Sequence, residues 1–268
     1  MGRRAGVLGR PITHSLSPLL HRAAYAELGL DWTYAAIECG VEDLAGALAE
    51  RRDWAGFSAT MPLKHALLDV AAEINPIAAA VGAANTLLPG PDGWIADNTD
   101  VAGIVAALAE HAVAPSTVTV LGAGGTAQAV LGELITLGVD RCTVLVRDPA
   151  RAARVLDSAR RLGIDVTLAA LDPDSPSLSA DLVVSTLPAG AADPLAARRW
   201  SDTQAVLDVV YAGGPTPLAQ AAATGGARVV SGALMLLHQA AVQVALMTGR
   251  DAPVEAMRAA LAEVVPGL

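Results

Sequence analysis

Apolar and polar positions in this chain follow two alternating rhythms. Short β-branched or apolar runs bounded by Gly, Pro or polar residues predict strands, and longer runs with helical spacing predict helices. Residues 5–9 predict a strand. Ser17-Pro18 then opens a helix to about Leu28, with Ser17 as N-cap and Pro in the first turn. A strand over Trp32–Ile37, a helix over Leu44–Arg51, a strand over Gly56–Thr60 and a helix over His65–Ile74 follow. A hairpin is predicted from Ala84–Leu88 to Trp94–Ala96 across Pro89-Gly-Pro-Asp-Gly93. The first hundred residues therefore read as an α/β unit.

Val101–Ala112 predicts a helix leading to the hinge-like Pro115-Ser116. Beyond it, strands read at 117–121, 142–146, 166–169, 181–185, 205–210 and 227–230. Helices read near 126–137 and 149–162, and two more close the chain at 233–248 and 253–264. Strand–helix alternation implies a parallel sheet with right-handed crossovers.

The segment Thr117-Val-Thr-Val-Leu-Gly-Ala-Gly-Gly-Thr-Ala-Gln128 changes that picture. A β-branched strand ends in glycines and opens into an apolar helix. Gly122 suits the tight turn, Gly124 lets backbone approach a pyrophosphate, and Ala127 fills the third small position of G-x-G-x-x-G/A. The helix start offers free N–H groups to the phosphates. Arg147, after the second strand of this half, suits a 2′-phosphate and hence NADP. An acid there would favour NAD, and Asp148 stands next to it.

Composition excludes several classes. The 268 residues are 53% hydrophobic and 17% charged, enough for one large core or two modest ones. A net charge of −9 with scattered Lys and Arg argues against nucleic acid as partner. Cys39 and Cys142 have neither C-x-x-C spacing nor a His cluster, so no metal site is expected. Arg10 and Pro11 interrupt the apolar start, and Ala233–Met247 is too short and polar for a membrane span. A cytoplasmic protein without a membrane partner is expected.

Short polar groups gather in the first unit. His14-Ser-Leu-Ser-Pro18 puts two hydroxyls at a helix start, where a carboxylate can bind. Thr60-Met-Pro-Leu-Lys64 puts a hydroxyl and an amine on one turn. Asn85-Thr86 and Asp97-Asn98-Thr99-Asp100 border extended segments. Each piece alone also reads as a cap or a capped turn. Together they suit a small, hydroxyl-rich, acidic substrate.

The ordered series Ser15-Leu-Ser17-Pro, Thr60-Met-Pro-Leu-Lys64, Gly82-Ala-Ala-Asn85-Thr86, Asn98-Thr99-Asp100-x-x-Gly103, Gly122-Ala-Gly-Gly125, Tyr211 and Met235-Leu-Leu-His-Gln239-Ala resembles the shikimate and quinate dehydrogenases. The resemblance spans nearly the whole chain. It implies NADPH-dependent reduction of 3-dehydroshikimate to shikimate, in the route to chorismate and the aromatic amino acids. Lys64 and Asp100 would be the catalytic pair. Ser15 and Ser17 would hold the carboxylate, and Thr60, Asn85 and Gln239 the ring hydroxyls, with Tyr211 near the substrate. Gly122, Ala123, Gly124, Gly125, Thr126, Ala127, Arg147, Val209, Gly232 and Met235 would bind the cofactor. Residues 1–103 plus 235–268 would form the substrate domain, and 104–234 a Rossmann-type, doubly wound nucleotide domain.

Three positions depart from the family pattern. Val146-Arg147-Asp148 replaces the usual Asn-Arg-Thr, Gln128 replaces an Arg of the glycine loop, and Ser58-Ala59 replaces Asn-Val. NAD therefore stays open beside NADP, and a quinate or aminoshikimate-type dehydrogenase stays open beside the shikimate enzyme. A methylene-folate or amino-acid dehydrogenase does not account for Ser15 and Ser17 with Lys64, Asn85 and Asp100. Intact Lys64 and Asp100 argue against a catalytically dead sensor. The sequence leaves the oligomeric state open, a homodimer included.

Overall fold

In the first sheet, β1 (Arg4–Gly9) is parallel to both β2 (Thr33–Glu38) and β3 (Gly56–Ala59). The computed structural model describes residues 2–265. The chain forms two compact units, one running to Gly103 and resuming at Leu236, the other Ile104–Met235.

In the first unit α1 (Ser17–Glu27) joins β1 to β2, and α2 (Leu44–Ala49) joins β2 to β3. The short α3 (Ala66–Val70), β4 (Glu73–Ile74) and α4 (Pro76–Val81) come next. The hairpin β5 (Thr86–Pro89) and β6 (Trp94–Asp97) leads into α5 (Asp100–Glu110). The strand order is β2-β1-β3-β5-β6-β4, with β5 antiparallel to β3. Leu8 joins a core with Phe57, Leu63, Leu67 and Leu87, while Ala5 and Val7 join one with Tyr25, Tyr34 and Met247. Alternate residues of β1 thus feed opposite faces of the sheet, as its two-residue period requires.

The structure corrects the expected 65–74 helix. It stops at Val70, because Glu73 and Ile74 pair with Ile95 and Ala96 of β6. Long-range pairing overrides local helical preference there. Pro76 in the first turn and Gly82 in the left-handed conformation frame α4, which the hydrophobic spacing did not reveal. Ser17 is the first residue of α1 and not its cap; Leu16 occupies the N-cap position.

The second unit is an all-parallel sheet of β7 (Val118–Leu121), β8 (Arg141–Val146), β9 (Asp165–Ala170), β10 (Leu182–Ser185), β11 (Ala205–Asp208) and β12 (Arg228–Ser231). Its order is β12-β11-β10-β7-β8-β9. Counted from β7, that is the 3-2-1-4-5-6 order of doubly wound dinucleotide-binding sheets. Helices α6 (Gly125–Leu137), α7 (Ala153–Leu162) and α8 (Pro217–Thr224) accompany it. The expected 149–162 helix starts as a 3-10 turn over Pro149–Ala152. Leu121, Leu145, Val183, Val206 and Leu218 share one buried core. α9 (Gly232–Thr248) follows β12, and α10 (Val254–Ala262) packs on α1. No helix among the described residues is long and apolar enough to cross a membrane.

Candidate active site

β3 carries the chain to Thr60, whose N–H donates to Leu8 O at 2.9 Å. The chain turns there, Leu63 N reaching Thr60 O at 2.9 Å, and presents Lys64 one turn later. Asn98, just ahead of α5, caps it, its Oδ1 accepting from Asp100 N at 3.0 Å and Val101 N at 3.4 Å. Asp100 thus starts a helix, where free N–H groups and the dipole favour a carboxylate. Lys64 Nζ donates to Asp100 Oδ2 at 2.5 Å, with side chains 17% and 6% exposed. A pair this dry interacts far more strongly than a solvated one.

Asn85 occupies the other carboxylate oxygen, its Nδ2 donating to Asp100 Oδ1 at 2.8 Å. Nδ2 also faces Thr99 Oγ1 at 3.0 Å and Gln239 Oε1 at 3.2 Å. Thr99 N donates to Asn85 Oδ1 at 2.8 Å, and because a backbone N–H can only donate, it fixes which way the amide points. Gln239, on α9, completes the cluster, its Nε2 donating to Leu236 O at 2.9 Å. Lys64, Asp100, Asn85, Thr99 and Gln239 are therefore one hydrogen-bonded group. Thr60 is half-buried on the turn before Lys64. Ser15 and Ser17 meet each other, Ser17 N donating to Ser15 Oγ at 3.3 Å at the start of α1. Their loop is tied down by Arg10, which pairs with Glu42 and Asp43, and by Ile12 N donating to Glu38.

In the second unit Gly122 follows β7 at φ +100°, a left-handed value that favours glycine, and a Cβ there would meet Thr186 Oγ1 at 2.8 Å. Ala123 follows it. Gly124 is the N-cap of α6, and a Cβ there would point into open space. Gly125 and Thr126 begin the helix, and Ala127 is fully buried against the sheet. Gln128 is also buried, its Nε2 donating to Ser158 Oγ at 2.8 Å, so it faces the core and not a ligand. Arg147 is exposed just past β8, which pairs with β7. Asp148 turns to its own helix start: Oδ1 accepts from Ala150 N at 3.0 Å and Oδ2 lies 3.7 Å from Arg151.

Val209 and Tyr211 sit on the turn after β11. Asp208 holds that turn, accepting from Thr216 Oγ1 at 2.6 Å and Val210 N at 3.2 Å. Burial raises the Asp208 carboxyl above its ordinary range. Gly232 has to be glycine for a packing reason, since a Cβ would lie 2.5 Å from the Val209 carbonyl. Met235 is buried one turn later.

Three further groups escaped the sequence reading. Arg151 is a second exposed guanidinium in the segment after β8, its Nε 3.7 Å from Asp148 Oδ2 and signalled only by its place in the sequence. His21 and Gln243 are fully buried and join the Asn85 cluster from the interior. A lone His or Gln among apolar neighbours carries no signal of that kind. Among the described residues, no group of three or more His, Cys, Asp or Glu could hold a metal ion.

A doubly wound sheet with a glycine turn where its strand order reverses, and a dry lysine–carboxylate pair elsewhere in the chain, define a dinucleotide-dependent α/β enzyme. Family models sharpen this. Residues 7–87 match the shikimate dehydrogenase substrate binding domain, and residues 232–262 the shikimate 5′-dehydrogenase C-terminal domain. A shikimate dehydrogenase (NADP(+)) of Geobacter metallireducens is 35% identical, over 96% of this chain and 94% of its own. The shikimate dehydrogenase crystal structure from Mycobacterium tuberculosis superposes with a TM-score of 0.86 at 46% identity, covering 97% of this chain and 99% of that one. One from Thermus thermophilus, solved with NADP(H) and shikimate, gives 0.85 at 32% identity over 98% of this chain and 100% of that one. The chain belongs to the shikimate dehydrogenase family.

Proposed function

We propose that this chain catalyses the reversible NADPH-dependent reduction of 3-dehydroshikimate to shikimate. The observation that carries the reading is the Lys64–Asp100 pair at 2.5 Å, almost shut off from water and joined to Asn85 and Gln239. It is supported by relatives named as NADP(+)-dependent shikimate dehydrogenases and by the relative solved with NADP(H) and shikimate.

The residues of the second unit fit the dinucleotide. The open space over Gly124 leaves room for phosphates at the N-terminus of the 13-residue α6. Gly122, Ala123, Gly125, Thr126 and Ala127 complete that cradle in our assignment. Arg147 would take the 2′-phosphate, and Val209, Gly232 and Met235 the nicotinamide end. Residues 104–234 then form the domain that supplies most of the cofactor contacts, and 1–103 plus 235–268 the domain that supplies most of the substrate contacts.

NADPH, when bound, supplies a hydride to the carbonyl carbon. Negative charge grows on the carbonyl oxygen as that happens. The Lys64 ammonium stabilises this charge and passes a proton to the oxygen. Asp100 keeps Nζ in one place through its 2.5 Å bond, so little reorganisation is needed during reaction. Ser15 and Ser17 hold the substrate carboxylate at the start of α1. Thr60, Asn85 and Gln239 take ring hydroxyls, and Tyr211 is assigned to the substrate.

We place the enzyme in the cytoplasm. Its two cysteines are buried free thiols, which suits a reducing compartment. The test is a side-by-side assay of shikimate and quinate, each with NADP+ and NAD+. The expected result is the highest kcat/KM for shikimate with NADP+. A higher value for quinate, or for NAD+, overturns the proposal.

A further inference from the structure

Behind the Lys64–Asp100 pair and Asn85 lies a file of buried polar side chains to which the reaction proposed above assigns no role. Tyr25 Oη lies 3.4 Å from His21 Nδ1, and His21 Nε2 lies 3.4 Å from Gln243 Oε1. Gln243 Nε2 donates to Thr86 Oγ1 at 2.9 Å, and Thr86 Oγ1 donates to Asn85 Oδ1 at 2.9 Å. Asn85 Nδ2 then reaches Asp100 at 2.8 Å. His21, Gln243 and Thr86 are fully buried, and Tyr25 and Asn85 almost so.

Two backbone groups fix the direction of every bond in this file. Gln243 Nε2 also faces the Asn85 carbonyl at 3.3 Å, and a carbonyl can only accept. That places the Gln243 amide nitrogen there and turns its oxygen toward His21. His21 must then carry its proton on Nε2, and its bare Nδ1 accepts from Tyr25. At the other end, the Thr99 N–H donates to Asn85 Oδ1 at 2.8 Å, so Nδ2 faces Asp100. Each member donates toward the carboxylate. Bonds so aligned polarise one another and strengthen the last one.

We propose that Tyr25, His21, Gln243 and Thr86 are positioning residues, a one-way hydrogen-bond file that locks the Asn85 amide and through it the Asp100 carboxylate. The inference rests on the reaction proposed above. Burial lowers the His21 imidazole to about 3, so it remains neutral in ordinary buffers and the file does not reverse. Stacking on Tyr34, 4.0 Å between ring centroids, holds the imidazole plane. The role goes beyond filling space, because apolar side chains of the same size would fill the core without orienting an amide.

Thr86 gives the sharpest test. Thr86→Val keeps the volume and removes the hydroxyl, while Thr86→Ser keeps the hydroxyl and removes a methyl. Both variants and the wild type are assayed with 3-dehydroshikimate and NADPH after their fold is checked. The expected result is a kcat lowered roughly tenfold to a hundredfold in Thr86→Val, the scale of a small misplacement at a reacting centre. KM for NADPH is expected to stay within about twofold, and Thr86→Ser to recover most of the lost kcat. A folded Thr86→Val with kcat within about twofold of wild type overturns the proposal, as does a Thr86→Ser no faster than Thr86→Val. If Thr86→Val does not fold, Gln243→Met is read by the same loss of kcat at unchanged KM for NADPH. An inactive wild type ends the functional reading and this inference with it. An active wild type with an unaffected variant ends this inference alone.

Discussion

Asp100 holds Lys64 on one carboxylate oxygen, at 2.5 Å, and receives Asn85 on the other, at 2.8 Å. The carboxylate is therefore a bridge between an ammonium that can meet a carbonyl oxygen and an amide that can meet a hydroxyl. Removing the ammonium tests the bridge directly. Lys64→Ala is expected to lower kcat roughly 10²- to 10⁴-fold, the range for losing a positioned proton donor. NADPH affinity, read by fluorescence titration, should be unchanged. A variant with near-normal kcat would remove Lys64 from the mechanism.

Ser15 and Ser17 lie at the start of α1, linked through the Ser17 N–H to Ser15 Oγ bond of 3.3 Å. Replacing both by Ala should raise KM for shikimate more than it lowers kcat. In the proposed role they hold a carboxylate that does not change during reaction, so ground state and transition state lose equally. Steady-state kinetics check this. A loss confined to kcat would mean that they do not bind the carboxylate.

Arg147 is the cofactor test. Charge-assisted bonds to a phosphate are worth about 1.5–3 kcal/mol, roughly one to two decades in affinity. Arg147→Ala should lower kcat/KM for NADPH by that factor and leave NADH nearly unchanged. The Asp148 carboxylate turns to Ala150 N at 3.0 Å, with Arg151 at 3.7 Å. If the variant keeps its preference for NADPH, Arg151 or another group carries the discrimination.

Glu133 gives a pH prediction in the second unit. Both carboxylate oxygens are buried with no hydrogen-bond partner among the described residues, and burial raises the group to about 8. The folded form therefore holds a proton that the unfolded chain releases near its ordinary value of 4.5. Between those two values the native state binds more protons, so stability falls as pH rises, on the order of 1.4 kcal/mol per unit for this group. Glu133→Gln should be more stable than wild type at pH 8 and nearly equal to it at pH 5. Urea midpoints at both pH values check this. An equal difference at both pH values would refute the assignment.

The legible and illegible parts of this chain divide along physical lines. The glycine turn and α6 were readable because a β-branched run, glycines and an apolar helix fall within a dozen contiguous residues. Lys64, Asp100 and Asn85 were readable only as pieces of a family pattern, since their meeting depends on β3, β5 and α5 being brought together. The end of α3 was not readable, because the strand pairing that stops it comes from 22 residues further on, Glu73 meeting Ile95. The start of α8 shows the limits of a local rule. Thr216 does cap its helix, accepting from Ala219 N at 3.1 Å, where the similar Ser17-Pro18 signal places Ser17 inside α1. His21 and Gln243 were silent because a hydrogen bond between residues 222 positions apart leaves no trace in local composition.

The turn after β8 carries a consequence for how this enzyme could change. The proposed phosphate cradle is made of backbone and small residues, and Gln128 beside it is committed to the core through Ser158. Arg147 and Arg151, by contrast, stand on a solvent-exposed turn. Substitutions there are free of the packing penalties that attend the interior. With Arg147 in its proposed role, preference between the two nicotinamide coenzymes is separable from foldability. A lineage could exchange one coenzyme for the other through a few surface codons while the sheet, the cradle and the reacting pair remain as they are.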